Sequence, residues 1–178
     1  MDTGKPVKTF AAVDPHTEIR FASGMLLLAE MTRLTAWRPG DKRPSYHLDR
    51  VKHSSSAALA FTDSRRLAVI AGQTGFVVWD AASGELVFDG RALDDPDGRL
   101  SGVEEVVVSP DGRFAVAGDP GEQTVDVWDL RAGRRIRSLH GHHVRVSAIR
   151  ADAAFGTVVT GDHQGKVRIW GLDWDYGE

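Results

Sequence analysis

Short apolar runs separated by turn residues fill this chain, and the clearest set lies between positions 103 and 139. Val106-Val107-Val108 ends at the turn Ser109-Pro110-Asp111-Gly112-Arg113, and Phe114-Ala115-Val116-Ala117 follows. After a polar loop comes Thr124-Val125-Asp126-Val127-Trp128-Asp129. Past Arg131-Ala132-Gly133 the chain resumes with Arg135-Ile136-Arg137-Ser138-Leu139. Runs of this length, rich in branched residues and bounded by Gly, Pro, Asp and Ser, predict a four-stranded antiparallel meander. The inner runs are continuously apolar, not alternating, so both faces of such a sheet need cover. Poorer copies of the pattern occupy 18–49, 56–89 and 146–170. The first predicts strands at 18–22, 25–30, 33–38 and 45–49. The second predicts them at 57–61, 67–71, 76–80 and 85–89, and the last at 146–151, 157–161 and 166–170.

Tryptophans mark the repeat. Trp37, Trp79, Trp128 and Trp170 each close a branched run, at spacings of 42, 49 and 42. Two of them stand in a Trp-Asp pair, Trp79-Asp80 and Trp128-Asp129, while the others read Trp37-Arg38 and Trp170-Gly171. Gly141-His142 precedes the last copy, with Val146 and Ile149 four and seven positions later; Gly98 keeps the same slot ahead of the third copy without its histidine. A period of about 40–45 residues ending in Trp-Asp resembles the blade of the tryptophan–aspartate (WD) repeat family, in its bacterial form. The resemblance implies an all-β propeller with four blades' worth of sequence, in which each sheet covers its neighbour's flank. It further implies a structural hydrogen-bonded set of His, Ser/Thr, Asp and Trp. His142, Thr160 and Trp170 match three slots in the fourth blade, with Asp162 or Gln164 open for the acid. Trp37, Trp79, Asp80, Trp128 and Asp129 are read as structural on the same ground.

Residues 3–10 resemble an outer strand that lacks its blade, and the fourth copy lacks a clear fourth strand. The resemblance implies that the N-terminal strand completes the last blade and removes a sheet edge. One module thus covers 1–178, with 171–178 as a tail. In that tail Leu172, Trp174 and Tyr176 alternate with Asp173 and Asp175, placing three apolar groups on one face of an extended segment. Packing beneath the ring and docking a partner are both open for it. Closure is open too. The chain is part of a longer protein, pairs as a homodimer into an eight-bladed ring, or closes alone.

Composition narrows the function classes. A net charge of -3 gives no global field favouring nucleic acid or an acidic membrane. No run approaches the ~20 apolar residues of a membrane span. The absence of cysteine excludes disulfides and thiolate chemistry, and a cytoplasmic setting is expected. Arginine outnumbers lysine 17 to 5 and asparagine is missing, which suggests a GC-rich bacterial genome.

Few residues point to chemistry. His140, His142 and His143 lack a further ligand for a tetrahedral metal site. Asp94, Asp95 and Asp97 with Gly98 lack the distal Glu of a calcium hand. Arg131, Arg134, Arg135 and Arg137 form a basic run without the interleaved aromatics that single strands stack on. Glu104-Glu105 is placed in a strand, with its carboxylates on opposite faces. Thus no cofactor, metal, nucleic acid or membrane partner is expected. The expected function is a non-catalytic scaffold that binds another protein through rim loops, here 49–55, 90–102 and 140–145 with the hairpins 72–75, 119–123 and 162–165. Asp94, Asp95, Asp97, Arg99, His143 and Arg145 are its candidate contacts. Two alternatives stand beside it: a hydrolase-like site in a central channel, and the propeller part of a larger bacterial signalling or regulatory protein.

Overall fold

The computed structural model describes residues 18–29, 33–48, 58–61, 67–72, 75–90, 103, 105–118 and 123–174. Within them every regular element is a strand. β1 (Glu18–Ala22), β2 (Met25–Ala29), β3 (Leu34–Trp37) and β4 (Tyr46–Leu48) form the first sheet in chain order. β5 (Ala58–Phe61), β6 (Leu67–Gly72), β7 (Gly75–Asp80) and β8 (Leu86–Gly90) form the second. β9 (Val106–Val108), β10 (Phe114–Gly118), β11 (Val125–Asp129) and β12 (Arg134–Leu139) form the third. β13 (Val146–Ala151), β14 (Thr157–Asp162) and β15 (Val167–Gly171) form the fourth, three-stranded among the described residues. All neighbours pair antiparallel. The predicted N-terminal closing strand lies outside the described residues, as do Tyr176 and the rest of the tail beyond Trp174.

The turns follow from their residues. Asp129 accepts the amides of Arg131 and Ala132 through Oδ1, both at 2.9 Å, and Asp80 does the same for Ala82 and Ser83 at 2.9 and 3.1 Å. A short acceptor side chain that caps its own turn is what Asp supplies and what Gly171 lacks. The ladder slips just before each of these tryptophans, between Val78 and Trp79 and between Val127 and Trp128. Such a bulge bends the strand into the outer turn. In the Ser-Pro-Asp-Gly turn, Ser109 Oγ donates to Asp111 at 2.6 Å and accepts the Phe114 amide at 2.9 Å.

The sheets pack face to face in chain order. Val77, Trp79 and Ala81 of the second sheet are buried against Ala22, Met25, Leu27, Leu34 and Ala36 of the first. On the second sheet's opposite face, Ala60 and Val78 meet Val106, Val108, Ala115, Ala117, Trp128 and Leu130 of the third. Val116, Val125 and Val127 of the third then meet Val146, Ile149 and Val158 of the fourth. This is why the inner runs are apolar at successive positions: within each strand, alternate residues cover opposite neighbours.

Two expectations change. Glu105 is not in a strand: β9 begins at Val106, whose partner Ala117 is the last residue of β10 paired to it. With no ladder to join, Glu105 reaches across to Arg150, 3.1 Å away. The basic run is also divided. Arg131, Arg134 and Arg137 are exposed, but Arg135 turns back to buried Asp126 at 3.3 Å.

Candidate interaction rim

A buried, hydrogen-bonded set of polar side chains sits where the loop 140–145 meets the hairpin between β14 and β15. Gly141 begins it. Its φ of 145° is a region side-chain-bearing residues rarely adopt, and an added Cβ would lie 2.7 Å from the Arg168 guanidinium carbon. Arg168 uses that space to donate from Nη2 to the Gly141 carbonyl at 2.6 Å. Its guanidinium also lies 5.8 Å from the centre of the Trp170 ring.

His142, one residue on, is buried. Its Nδ1 is 2.8 Å from Asp162 Oδ2 and its Nε2 is 2.7 Å from Thr160 Oγ1; Trp170 Nε1 donates to that same hydroxyl at 2.9 Å. The partners fix the tautomer. Asp162 only accepts, so Nδ1 carries the proton; Thr160 takes a proton from the indole and gives its own to Nε2. A relay therefore runs indole to hydroxyl to imidazole to carboxylate, with each donor used once. Thr160 is fully buried and Asp162 nearly so, where such a network is strong only if every member is satisfied.

Asp162 rather than Gln164 is the acid. Its second oxygen accepts the amides of Gln164 and Lys166, both at 3.0 Å, and so shapes the hairpin. The His142 contact first, and then those amides, hold this carboxyl below the usual carboxylate range. One side chain thereby ties two loops together, and a backbone bond from His163 N to Arg145 O at 3.1 Å adds a second tie. Around this fixed centre His140, His143, His163, Gln164 and Lys166 are exposed and Arg145 is half-buried. Both nitrogens of His142 are engaged, so it has no lone pair to give a metal. Among the described residues no group of three His, Cys, Asp or Glu is placed to hold one.

The other predicted residues fall as follows. Trp79 and Trp128 are buried at sheet-to-sheet contacts, Trp37 and Trp170 are half-buried, and Asp80 and Asp129 cap outer turns. His143 and Arg145 stand on the rim beside Asp162. Asp94, Asp95, Asp97 and Arg99 lie outside the described residues. Two participants carried no sequence signal strong enough to single them out. Arg168 was one more basic residue in a strand. Tyr46 was a lone aromatic on an outer strand, yet its hydroxyl accepts from Trp79 Nε1 at 3.3 Å and donates to the Ala81 carbonyl at 2.9 Å. Burial pushes its phenol above the ordinary value; the Trp79 bond opposes that shift and the Asp80 charge adds to it.

The chain is similar to curated proteins over part of its length. It is 40% identical over 65 residues to mitochondrial division protein 1 of Saccharomyces cerevisiae, covering 36% of this chain and 9% of that protein. It is 36% identical over 74 residues to a guanine nucleotide-binding protein subunit beta of Dictyostelium discoideum, covering 42% of this chain and 21% of the relative. Against the corresponding subunit of Zea mays it is 26% identical over 110 residues, covering 60% and 28%. The chain therefore spans less than a third of each of these relatives' length, and all three are eukaryotic. No family model matches the chain.

The fold is all-β, a β-propeller of WD-repeat type. In propeller terms the loop leading into the fourth blade and that blade's middle hairpin share one rim, locked by Asp162.

Proposed function

We propose that this propeller is a non-catalytic scaffold that binds another protein through the rim built on residues 140–145 and 162–165. The observation that carries the reading is the double tie made by Asp162, which fixes two exposed loops on a rigid frame, the setting in which binding residues concentrate. The similarity to guanine nucleotide-binding subunits, by name members of assemblies, favours a binding role as well. The inner strands supply Val106, Val108 and Ile149 to the core, which favours binding over catalysis in a central channel. A bacterial origin and a cytoplasmic setting belong to the same proposal; they rest on the arginine bias and the lack of cysteine.

Affinity capture from the native host with mass spectrometry tests it. The double variant His143→Glu, Lys166→Glu adds negative charge at two exposed positions beside the rim and is expected to lose the captured partner with an unchanged circular dichroism spectrum. Charge reversal at Asp94, Asp95 and Asp97 probes the acidic loop in the same way. Capture unchanged in both variants would remove the rim as the binding surface.

A further inference from the structure

The turn between β13 and β14 carries a residue that its own geometry does not call for. Register aligns it with the turn between β9 and β10, because Thr157 pairs with Gly171 as Phe114 pairs with Asp129. The Phe155 amide donates to the Asp152 carbonyl at 3.0 Å, as the Gly112 amide donates to that of Ser109 at 2.9 Å. Phe155 thus stands where the third sheet has Gly112. Both have positive φ, 57° and 72°. Glycine adopts that conformation without steric cost, whereas a residue with a Cβ is strained in it. A turn that glycine closes more easily holds a phenylalanine, so the reason for it lies outside the turn.

The segment after β15 supplies that reason. Leu172 repeats Leu130: each is buried, and each donates its amide at 2.8 Å across the turn, to the carbonyls of Gly156 and Arg113. Two residues further on the sheets differ. In the third, Asp129 caps the Ala132 amide at 2.9 Å; in the fourth, Gly171 has no carboxylate and Trp174 takes the place of Ala132. The Trp174 ring stacks on Phe114 of the third sheet at 4.3 Å and on Phe155 at 5.5 Å between centroids. Its Nε1 donates to the Phe155 carbonyl at 2.6 Å. Arg113 steadies the far wall, with its guanidinium 4.8 Å from the Phe114 ring centre and 3.4 Å from Asp129. With Gly112 and Ala132 in the matching positions, the third sheet's turn has neither the wall nor the ring.

We propose that Phe114, Phe155 and the Phe155 carbonyl form a binding slot for an indole side chain, filled here by Trp174, and that occupancy of the slot and conformation of the turn are one equilibrium. When the slot is filled, two ring stacks and one N–H bond offset the strain at Phe155. When it is empty, nothing offsets that strain and the backbone at 155 relaxes out of positive φ. Trp174 is thereby a latch between the third and fourth sheets, and the strained turn is its catch.

Chemical rescue reads the slot. Trp174→Ala vacates it and is expected to melt about 4–8 °C below wild type. Millimolar 3-methylindole, the missing side chain alone, is expected to raise the melting temperature of this variant and to leave wild type unchanged. The analogue 1,3-dimethylindole has the same rings without the N–H and is expected to rescue less. A second pair of variants reads the catch. Phe155→Gly and Phe155→Ala both remove the ring and differ only by a Cβ at positive φ. With Trp174 in place the glycine variant is expected to melt about 2–4 °C above the alanine variant. In the Trp174→Ala background that difference is expected to vanish. Absence of rescue, equal rescue by the two indoles, or a Gly–Ala difference that ignores Trp174 would overturn the inference. Should Trp174→Ala not fold, Trp174→Leu, which keeps apolar bulk without the ring or the N–H, carries the Gly–Ala comparison. None of these readouts involves the rim, so the rim proposal stands or falls separately.

Discussion

The third and fourth sheets are the same device under different cover. Their middle strands have the same register, and their tryptophans sit at the same place on the third strand. The third is buried on both faces, with Val116, Val125 and Val127 on one and Ala115, Ala117 and Trp128 on the other. Among the described residues the fourth is packed on one face. It keeps its tryptophan in place with a hydrogen-bonded relay, Trp170 to Thr160 to His142 to Asp162, and with a cap from the tail. In that cap Leu172 is buried, and Trp174 stacks on Phe114 at 4.3 Å and Phe155 at 5.5 Å between centroids while donating to the Phe155 carbonyl at 2.6 Å. Phe155 itself has a φ of 57°, which a bulky residue adopts only when its surroundings hold it there. Where a neighbouring sheet is present, apolar contact suffices. Where it is present on one side only, polar and aromatic contacts do more of the holding.

The sharpest way to break this comparison is to place one substitution at equivalent positions. Val127→Asp puts an unpaired charge in a sealed contact, a cost of several kcal/mol, and is expected to abolish the cooperative thermal transition. Ile169→Asp, its register counterpart, is exposed and is expected to stay within about 0.5 kcal/mol of wild type. Equal losses at the two sites would mean that the fourth sheet's outer face is covered.

His142→Ala comes next. It leaves the Thr160 hydroxyl without its acceptor in a site closed to water, and about 1–3 kcal/mol is expected in chemical denaturation. Adding Thr160→Val to His142→Ala is expected to recover part of that loss, because the stranded group is gone. Purely additive costs would show that the relay is not coupled.

Acid tests the same relay. The folded-state carboxyl of Asp162 titrates below its unfolded value of about 3.9. Its contribution is therefore complete above about pH 4 and is lost as pH falls through the lowered value. Asp162→Asn, less stable at neutral pH, is expected to lose less of its melting temperature than wild type between about pH 5 and pH 2. Parallel profiles would count against the assignment of the acid.

The smallest effect belongs to the junction of the first two sheets. Tyr46→Phe deletes the hydroxyl between Trp79 and the Ala81 carbonyl while keeping the ring, and about 0.5–1.5 kcal/mol is expected. Replacing Gly84 should cost more than that, because a Cβ there meets the Tyr46 ring at 2.6 Å in a backbone of positive φ.

The all-β class, the strand positions and the turns were legible in the sequence because they are local. Val106-Val107-Val108 with Ser-Pro-Asp-Gly behind it leaves the backbone little else to do, and Asp129 caps a turn made by its own neighbours. Contacts between sheets were not legible. Asp162 and Gln164 stood equally well for the acid until the fold brought one of them to His142. Glu105 read as part of a strand until β10 ended opposite Val106. Tyr46 gave no hint of Trp79, 33 positions away. Period and turn chemistry belong to each short segment, so the residues determine them alone. Which face of a sheet is covered depends on where its neighbours lie, and that is why Val125 is sealed while Val167, in the same pattern, faces outward.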